Sequence, residues 1–155
     1  MSYNCQVKDV APQPILSIRG KTTPSAIPMT IGEFLKEVLG YVQSKGGQLA
    51  GPPFTRYHKM AEDEVDMEAG FPVASPLPGE GRIEASELPS GPVASTYHIG
   101  PYDTLNTAEA AIDNWVSTNG QEAAGPSWHI YWTDPGEVPN PQEWKTEVVR
   151  PLKAS

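Results

Sequence analysis

Gly51-Pro52-Pro53-Phe54-Thr55-Arg56-Tyr57 and Gly125-Pro126-Ser127-Trp128-His129-Ile130-Tyr131 read as one turn and strand met twice. In each, a Gly-Pro turn feeds a short strand with aromatic residues at matching places. The match continues upstream at a constant offset. Val38, Tyr41, Val42 and Gly46 correspond to Ile112, Trp115, Val116 and Gly120. Any helix–glycine–turn–strand unit would repeat its glycines. Coincident aromatics as well point to an internal duplication.

Working outward, Thr30 to Lys45 carries Ile31, Phe34, Leu35, Val38, Leu39 and Val42 at three- and four-residue spacing. That spacing predicts an amphipathic helix, with Thr30 as N-cap, Glu33 three residues on, and Gly46-Gly47 as its stop. Tyr102 to Thr118 is its counterpart, with Leu105, Ala108, Ile112, Trp115 and Val116 on one stripe and Gly120 ending it. A strand precedes each helix: Val7 to Arg19, broken near Pro12 and Pro14, and Pro92 to Ile99. A strand also closes each half: Glu64 to Val73, with Val65, Met67 and Ala69 on one face, and Trp144 to Val149. Each half is then strand–helix–strand–strand, over about residues 7–73 and 88–150. A Pro-, Gly-, Ser- and Glu-rich linker of about residues 74–87 joins them and bears a strand at most. Neither half can bury both a sheet and a helix alone, so residues 1–155 are expected to form a single α+β domain with its binding site in the seam.

Composition narrows the function. The chain has 19 acidic and 11 basic residues, a formal net charge of −8, and no cluster of Lys and Arg to track a phosphate backbone. Direct nucleic-acid binding is therefore not expected, and the evenly spread acids read first as a solubility device. The lone Cys5 cannot form an internal bridge and lies in a start expected to be disordered. Met1 to Gln6 has neither a basic stretch nor an apolar core, and no apolar run approaches membrane-spanning length. A cytoplasmic protein is expected. His58, His98 and His129 are dispersed, so no metal site is expected, and no phosphate-cradling loop or Gly-x-Ser-x-Gly motif calls for a cofactor or a serine nucleophile.

Several phrases resemble the GyrI-like family, the effector-binding part of multidrug-responsive transcription activators. They are Leu88-Pro89-Ser90-Gly91-Pro92-Val93-Ala94, His98-Ile99-Gly100-Pro101-Tyr102, Tyr131-Trp132-Thr133-Asp134-Pro135 and Thr146-Glu147-Val148, with Gly51-Pro52-x-Phe54-x-x-Tyr57 beside them. In that order they span the chain from about Val7 to Leu152. The resemblance implies duplicated units about a pseudo-twofold axis, antiparallel sheets forming a ligand cleft, and helices packed behind. It also implies an amphipathic, drug-like or polycyclic ligand that the chain sequesters or senses. Two alternatives come with it: hydrolysis of cyclopropane-bearing or other lipophilic toxins, and inhibition of gyrase through a protein contact, by a monomer or a homodimer. No helix-turn-helix pattern precedes the domain, so transcription control by this chain alone is not expected.

Because side chains alternate along a strand, His129 and Tyr131 share one face, and Trp128, Ile130 and Trp132 the other. The duplication puts Thr55 and Tyr57 on the face equivalent to His129 and Tyr131. That polar-aromatic face is the expected cleft lining, with the Trp128/Ile130 face packed under the helices. Met67, Phe71, Tyr102 and Trp144 complete the expected ligand-binding set. His98 and Glu147 are read as structural. The resemblance implies a glutamate where His129 stands, so neither cation pairing nor a carboxylate-based hydrolysis is expected there. No catalytic residue is assigned, although a neutral imidazole could serve as a base.

Overall fold

The computed structural model describes residues 3–134 and 136–153; Met1, Ser2 and Pro135, which figure in the motifs above, lie outside the described residues. The elements run β1 (Gln6–Val10), β2 (Gln13–Thr22), α1 (Ile27–Ser44), β3 (Phe54–Met60), β4 (Val65–Pro72), β5 (Ile83–Leu88), β6 (Gly91–Ile99), α2 (Leu105–Thr118), β7 (Trp128–Tyr131) and β8 (Lys145–Pro151). Two compact units result, one of residues 12–89 and one joining the N-terminal residues through Ala11 to Ser90 onward.

The unit of residues 12–89 is an antiparallel sheet in the order β3-β4-β2-β5 with α1 on one face. The other unit repeats the plan: its sheet runs β7-β8-β6-β1, with α2 on one face. This is the duplicated α+β plan that the repeat predicts. The region upstream of α1 differs from the reading above, however. Val7 to Arg19 is not one broken strand but two strands, in different units. β1 pairs with β6 from Gln6↔Ser95 to Val10↔Gly91, whereas β2 pairs with β4 and β5. Proline cannot donate to a ladder, and Pro12 and Pro14 lie where the chain leaves one unit for the other. The same break recurs at Pro89, between β5 and β6. At Cys5 the reading also differs: Cys5 packs against the α2 core and β1 follows it directly.

Each helix is held by its apolar stripe. Phe34, Val38, Tyr41 and Val42 of α1 pack on Leu16, Ile18, Ala69, Phe71, Val73 and Ile83. Leu105, Ala108, Ile112 and Val116 of α2 pack on Ala94, Val148 and Leu152. Burying one such side chain stabilises by about 1.5–3 kcal/mol. Both helices end in the same way. The Gly47 N–H donates to Val42 and the Gly46 N–H to Gln43, while Gln121 and Gly120 donate likewise to Val116 and Ser117. The turn requires a left-handed residue, supplied by Gly46 (φ 68°) and Gly120 (φ 70°). The helix starts are set differently from the reading above. Ala26 is the N-cap of α1, Pro28 stands in its first turn, and Thr30 Oγ1 donates back to the Ala26 carbonyl at 2.8 Å. Proline's fixed φ opens the helix three residues before Thr30. Tyr102 lies in a short 3₁₀ turn, not in α2 itself.

Among the described residues, no helix is long and apolar enough to cross a membrane.

Candidate functional site

Directly opposed residues of an antiparallel pair share a face, so the ladders and helix cores assign every strand position. In the α1 unit, Ala69 and Phe71 lie beneath the helix. Thr55 opposes Ala69 and Tyr57 opposes Met67, which places all four on the helix side with Phe71. In the α2 unit Val148 lies beneath the helix and opposes His129. Tyr131 packs on that same core. The expected assignment of faces is therefore reversed: His129 and Tyr131 turn toward α2, and Trp128 and Ile130 turn away from it.

The physical reason is Glu109 on α2. Its Oε1 accepts from Ser127 Oγ at 2.5 Å and lies 2.6 Å from His129 Nε2, and its Oε2 lies 3.4 Å from Arg150 Nη2. Arg150 Nη2 also donates to Asp113 at 2.8 Å. Burial would raise the Glu109 carboxyl, but the hydrogen bond and charge of His129, then Ser127 and Arg150, outweigh it and hold the group below its ordinary value. A polar histidine can thus lie under a helix because the helix brings its partner. Tyr102 meets Tyr131 edge to face, with ring centres 5.2 Å apart, and lies tilted against Trp144 at 4.6 Å, and Trp144 Nε1 donates to the Val138 carbonyl at 2.6 Å. Tyr102 thus ties Tyr131, at the end of β7, to Trp144, just before β8. His98 anchors the turn after β6, as its motif predicts: Nε2 lies 3.1 Å from the Pro101 carbonyl and 2.9 Å from Thr104 Oγ1, and Nδ1 lies 2.9 Å from Tyr3 Oη.

The face of each sheet turned away from its helix carries chemistry that the sequence reading left out of the site, having taken Glu147 as structural and passed over Glu68. On β8, Glu147 is 3% exposed at its side chain. Ser95 Oγ donates to its Oε2 at 2.5 Å, Lys8 Nζ to the same oxygen at 2.7 Å, and Trp132 Nε1 to Oε1 at 3.1 Å. Tyr97 directly opposes Glu147, and Ile99 follows two residues on along the same face. Tyr97, Ile99 and Trp132 are exposed by 37, 51 and 48%, an apolar fringe around a buried carboxylate. Lys145 Nζ stands 4.5 Å over the Tyr97 ring.

Glu68 on β4 is the counterpart in the α1 unit. Ser17 Oγ donates to its Oε2 at 2.5 Å, and His58 Nε2 lies 2.9 Å from Oε1. Arg56 Nη1 is 4.0 Å from the same oxygen. Burial lowers the Arg56 guanidinium from its ordinary value, and the Glu68 charge opposes that shift. His58 reaches Glu68 because a bulge between Tyr57 and Lys59 inserts it as an extra residue. Gly70 lies beside this group, opposite Ser17. A Cβ there would meet the Leu16 carbonyl oxygen at 2.1 Å, so the strand pair accepts only glycine.

A signal for these groups was present in the sequence: a serine in the first strand and a glutamate in the last strand of each repeat, Ser17 with Glu68 and Ser95 with Glu147. It escaped a constant-offset alignment because the serines stand 78 residues apart and the glutamates 79, whereas the helix and turn positions stand 74 apart.

Among solved structures, the EcmrR C-terminal domain is similar over 100% of both chains, with 25% identity and a TM-score of 0.83. EcmrR in its complex with DNA matches 99% of this chain at 23% identity and a TM-score of 0.83, and this chain spans 58% of the length of that one. SAV2435 bound to tetraphenylphosphonium shares the fold at 12% identity and a TM-score of 0.62, covering 99% of this chain and 95% of that one. A hydrolase encoded by lin2189 from Listeria innocua does so at 16% and 0.68, over 96 and 91%. No curated protein sequence matches this one. Repeated four-stranded sheets with a helix each, and a buried glutamate under an aromatic fringe, accompany a match of residues 3–153 to the GyrI-like small molecule binding domain, and the chain belongs to that family.

Proposed function

We propose that the chain sequesters or senses an amphipathic cation, held on the face of the β7-β8-β6-β1 sheet that is turned away from α2. The single observation that carries this reading is Glu147. A carboxylate almost fully removed from water, with three exposed apolar side chains at its rim, meets both demands of a lipophilic cation. The rings remove its apolar surface from water, and the carboxylate supplies a charge that low dielectric makes effective. Trp132 serves twice, presenting an indole face to a cation while its N–H orients Oε1.

The family supports the small-molecule reading, and the printed ligand of SAV2435, tetraphenylphosphonium, is an amphipathic cation. Of the residues expected from sequence, Tyr102, Tyr131 and Trp144 take a positioning role here, holding the segment that bears Trp132. Thr55, Tyr57, Met67 and Phe71 support the α1 sheet from its helix side. His129 braces α2.

Titration calorimetry with tetraphenylphosphonium tests the proposal, with triphenylphosphine oxide as a neutral comparator. Saturable binding that Glu147→Gln weakens by about 100-fold is the expected result. Binding unaffected by that substitution, or none to the parent protein, would remove the reading.

A further inference from the structure

Given the site proposed above, the geometry points to Lys8 as a resident counter-ion of Glu147, which a cationic ligand must displace and which thereby sets the ligand charge that the site accepts. Three observations carry it. Lys8 Nζ lies 2.7 Å from Oε2, and its side chain is 36% exposed where that of Glu147 is 3%. The ammonium is thus the outer member of the pair and leaves toward water. Ser95 on Oε2 and Trp132 on Oε1 remain when Lys8 departs, so the carboxylate keeps its orientation for an incoming cation.

β1, which carries Lys8, is an edge strand of five residues, paired with β6 alone among the described residues. Releasing an edge side chain breaks no ladder bond. Glu68 is served differently: His58 and Arg56 both come from β3, the strand that pairs with β4. Lys8 therefore has no equivalent at the matching site.

Two ligand classes separate on this basis. A neutral polycycle binds against Tyr97, Ile99 and Trp132 with Lys8 in place. A monocation competes with an ammonium already on Glu147, so part of its attraction is spent in replacing that ion. Truncating Lys8 removes the competitor and keeps the stem's apolar contact if methionine replaces it.

The experiment is calorimetry of the full chain and of Lys8→Met, Lys8→Arg and Glu147→Gln, each with tetraphenylphosphonium and with triphenylphosphine oxide. Lys8→Met is expected to tighten the phosphonium by about ten-fold, with the neutral oxide changed by less than about two-fold. Lys8→Arg, which retains the charge, is expected to bind like the parent and shows that the gain is not a folding effect. If the phosphonium binds through Glu147 yet Lys8→Met leaves its affinity unchanged or weakens it, Lys8 is no competitor and this inference alone falls. If no variant binds the phosphonium at all, the proposed function falls, and this inference with it.

Discussion

The two units bury a glutamate at the same point of the same sheet and surround it with opposite kinds of neighbour. Ser17 and Ser95 hold Glu68 and Glu147 alike, each from the adjacent strand at 2.5 Å. Beyond the serine they diverge. Where the α1 unit sets Arg56 and His58 beside its carboxylate, the α2 unit sets Trp132 and the distant Lys8. Behind the sheets the contrast inverts. Between α1 and its sheet lie Leu35 and Phe71, while the equivalent places at α2 hold Glu109 and Arg150, in direct contact with each other and with His129 on Glu109. One frame therefore carries two distributions of charge. The α1 unit is polar on its far side and apolar beneath its helix. The α2 unit keeps a polar brace beneath its helix and exposes aromatic surface on the other side. Duplication preserved what the sheet geometry needs, the Ser–Glu pair and the glycine helix stops, and left the partners free to differ.

The largest effect should come from exchanging the carboxylates' roles. Glu147→Gln is expected to weaken tetraphenylphosphonium binding by about 2–3 kcal/mol, whereas Glu68→Gln should change it by less than about 0.5 kcal/mol, both read by calorimetry. Equal losses would mean that the neighbours do not distinguish the sites. Next is His129→Glu, which sets a second carboxylate against Glu109. Urea unfolding should show a loss of about 2 kcal/mol, with no change in which ligand charge is preferred. A shift of preference toward cations would restore His129 to the ligand face.

Gly70→Ala should cost about 1–3 kcal/mol in the same assay, since the added methyl meets the Leu16 carbonyl. The corresponding position in the α2 unit is native Val149, opposite Ser95, so the restriction belongs to the α1 sheet alone. A neutral outcome would show that β2 and β4 part easily. The smallest effect concerns pH. Glu109 is held below its ordinary value, so its contribution to stability is complete above the unfolded carboxyl range and is lost as pH falls through the folded value. Glu109→Gln should therefore be less stable than the parent by about 1 kcal/mol at pH 7, and the gap should close in acid as pH falls through the folded value. A gap that persists in acid would assign the brace to packing instead of charge.

Much of the plan was legible in the chain. Gly46 and Gly120 announce left-handed helix stops because other residues adopt that conformation only at a cost. The three- and four-residue spacing of Phe34, Val38 and Val42, and of Leu105, Ala108, Ile112 and Val116, fixes which side of each helix is buried. The strand faces were not legible in the same way. Alternation states that His129 and Tyr131 go together and that Trp128 and Ile130 go together. It does not state which pair meets the helix. Hydropathy favoured the apolar pair, and Glu109, twenty residues away in the chain, reversed the choice. The strand that precedes each helix posed a similar problem. Nothing local to Val7–Arg19 says that its two parts join different units, because pairing partners lie far along the sequence.

Sequence alone thus determined the duplication, the helices and their C-terminal stops, since helix periodicity and glycine conformation act over a few residues. Tertiary structure alone decided which face of each sheet is covered and what stands beside each buried glutamate. A carboxylate's charge environment is set by groups within a few ångströms, and Lys8, Ser95, Trp132 and Glu147 come together only when separate strands pair.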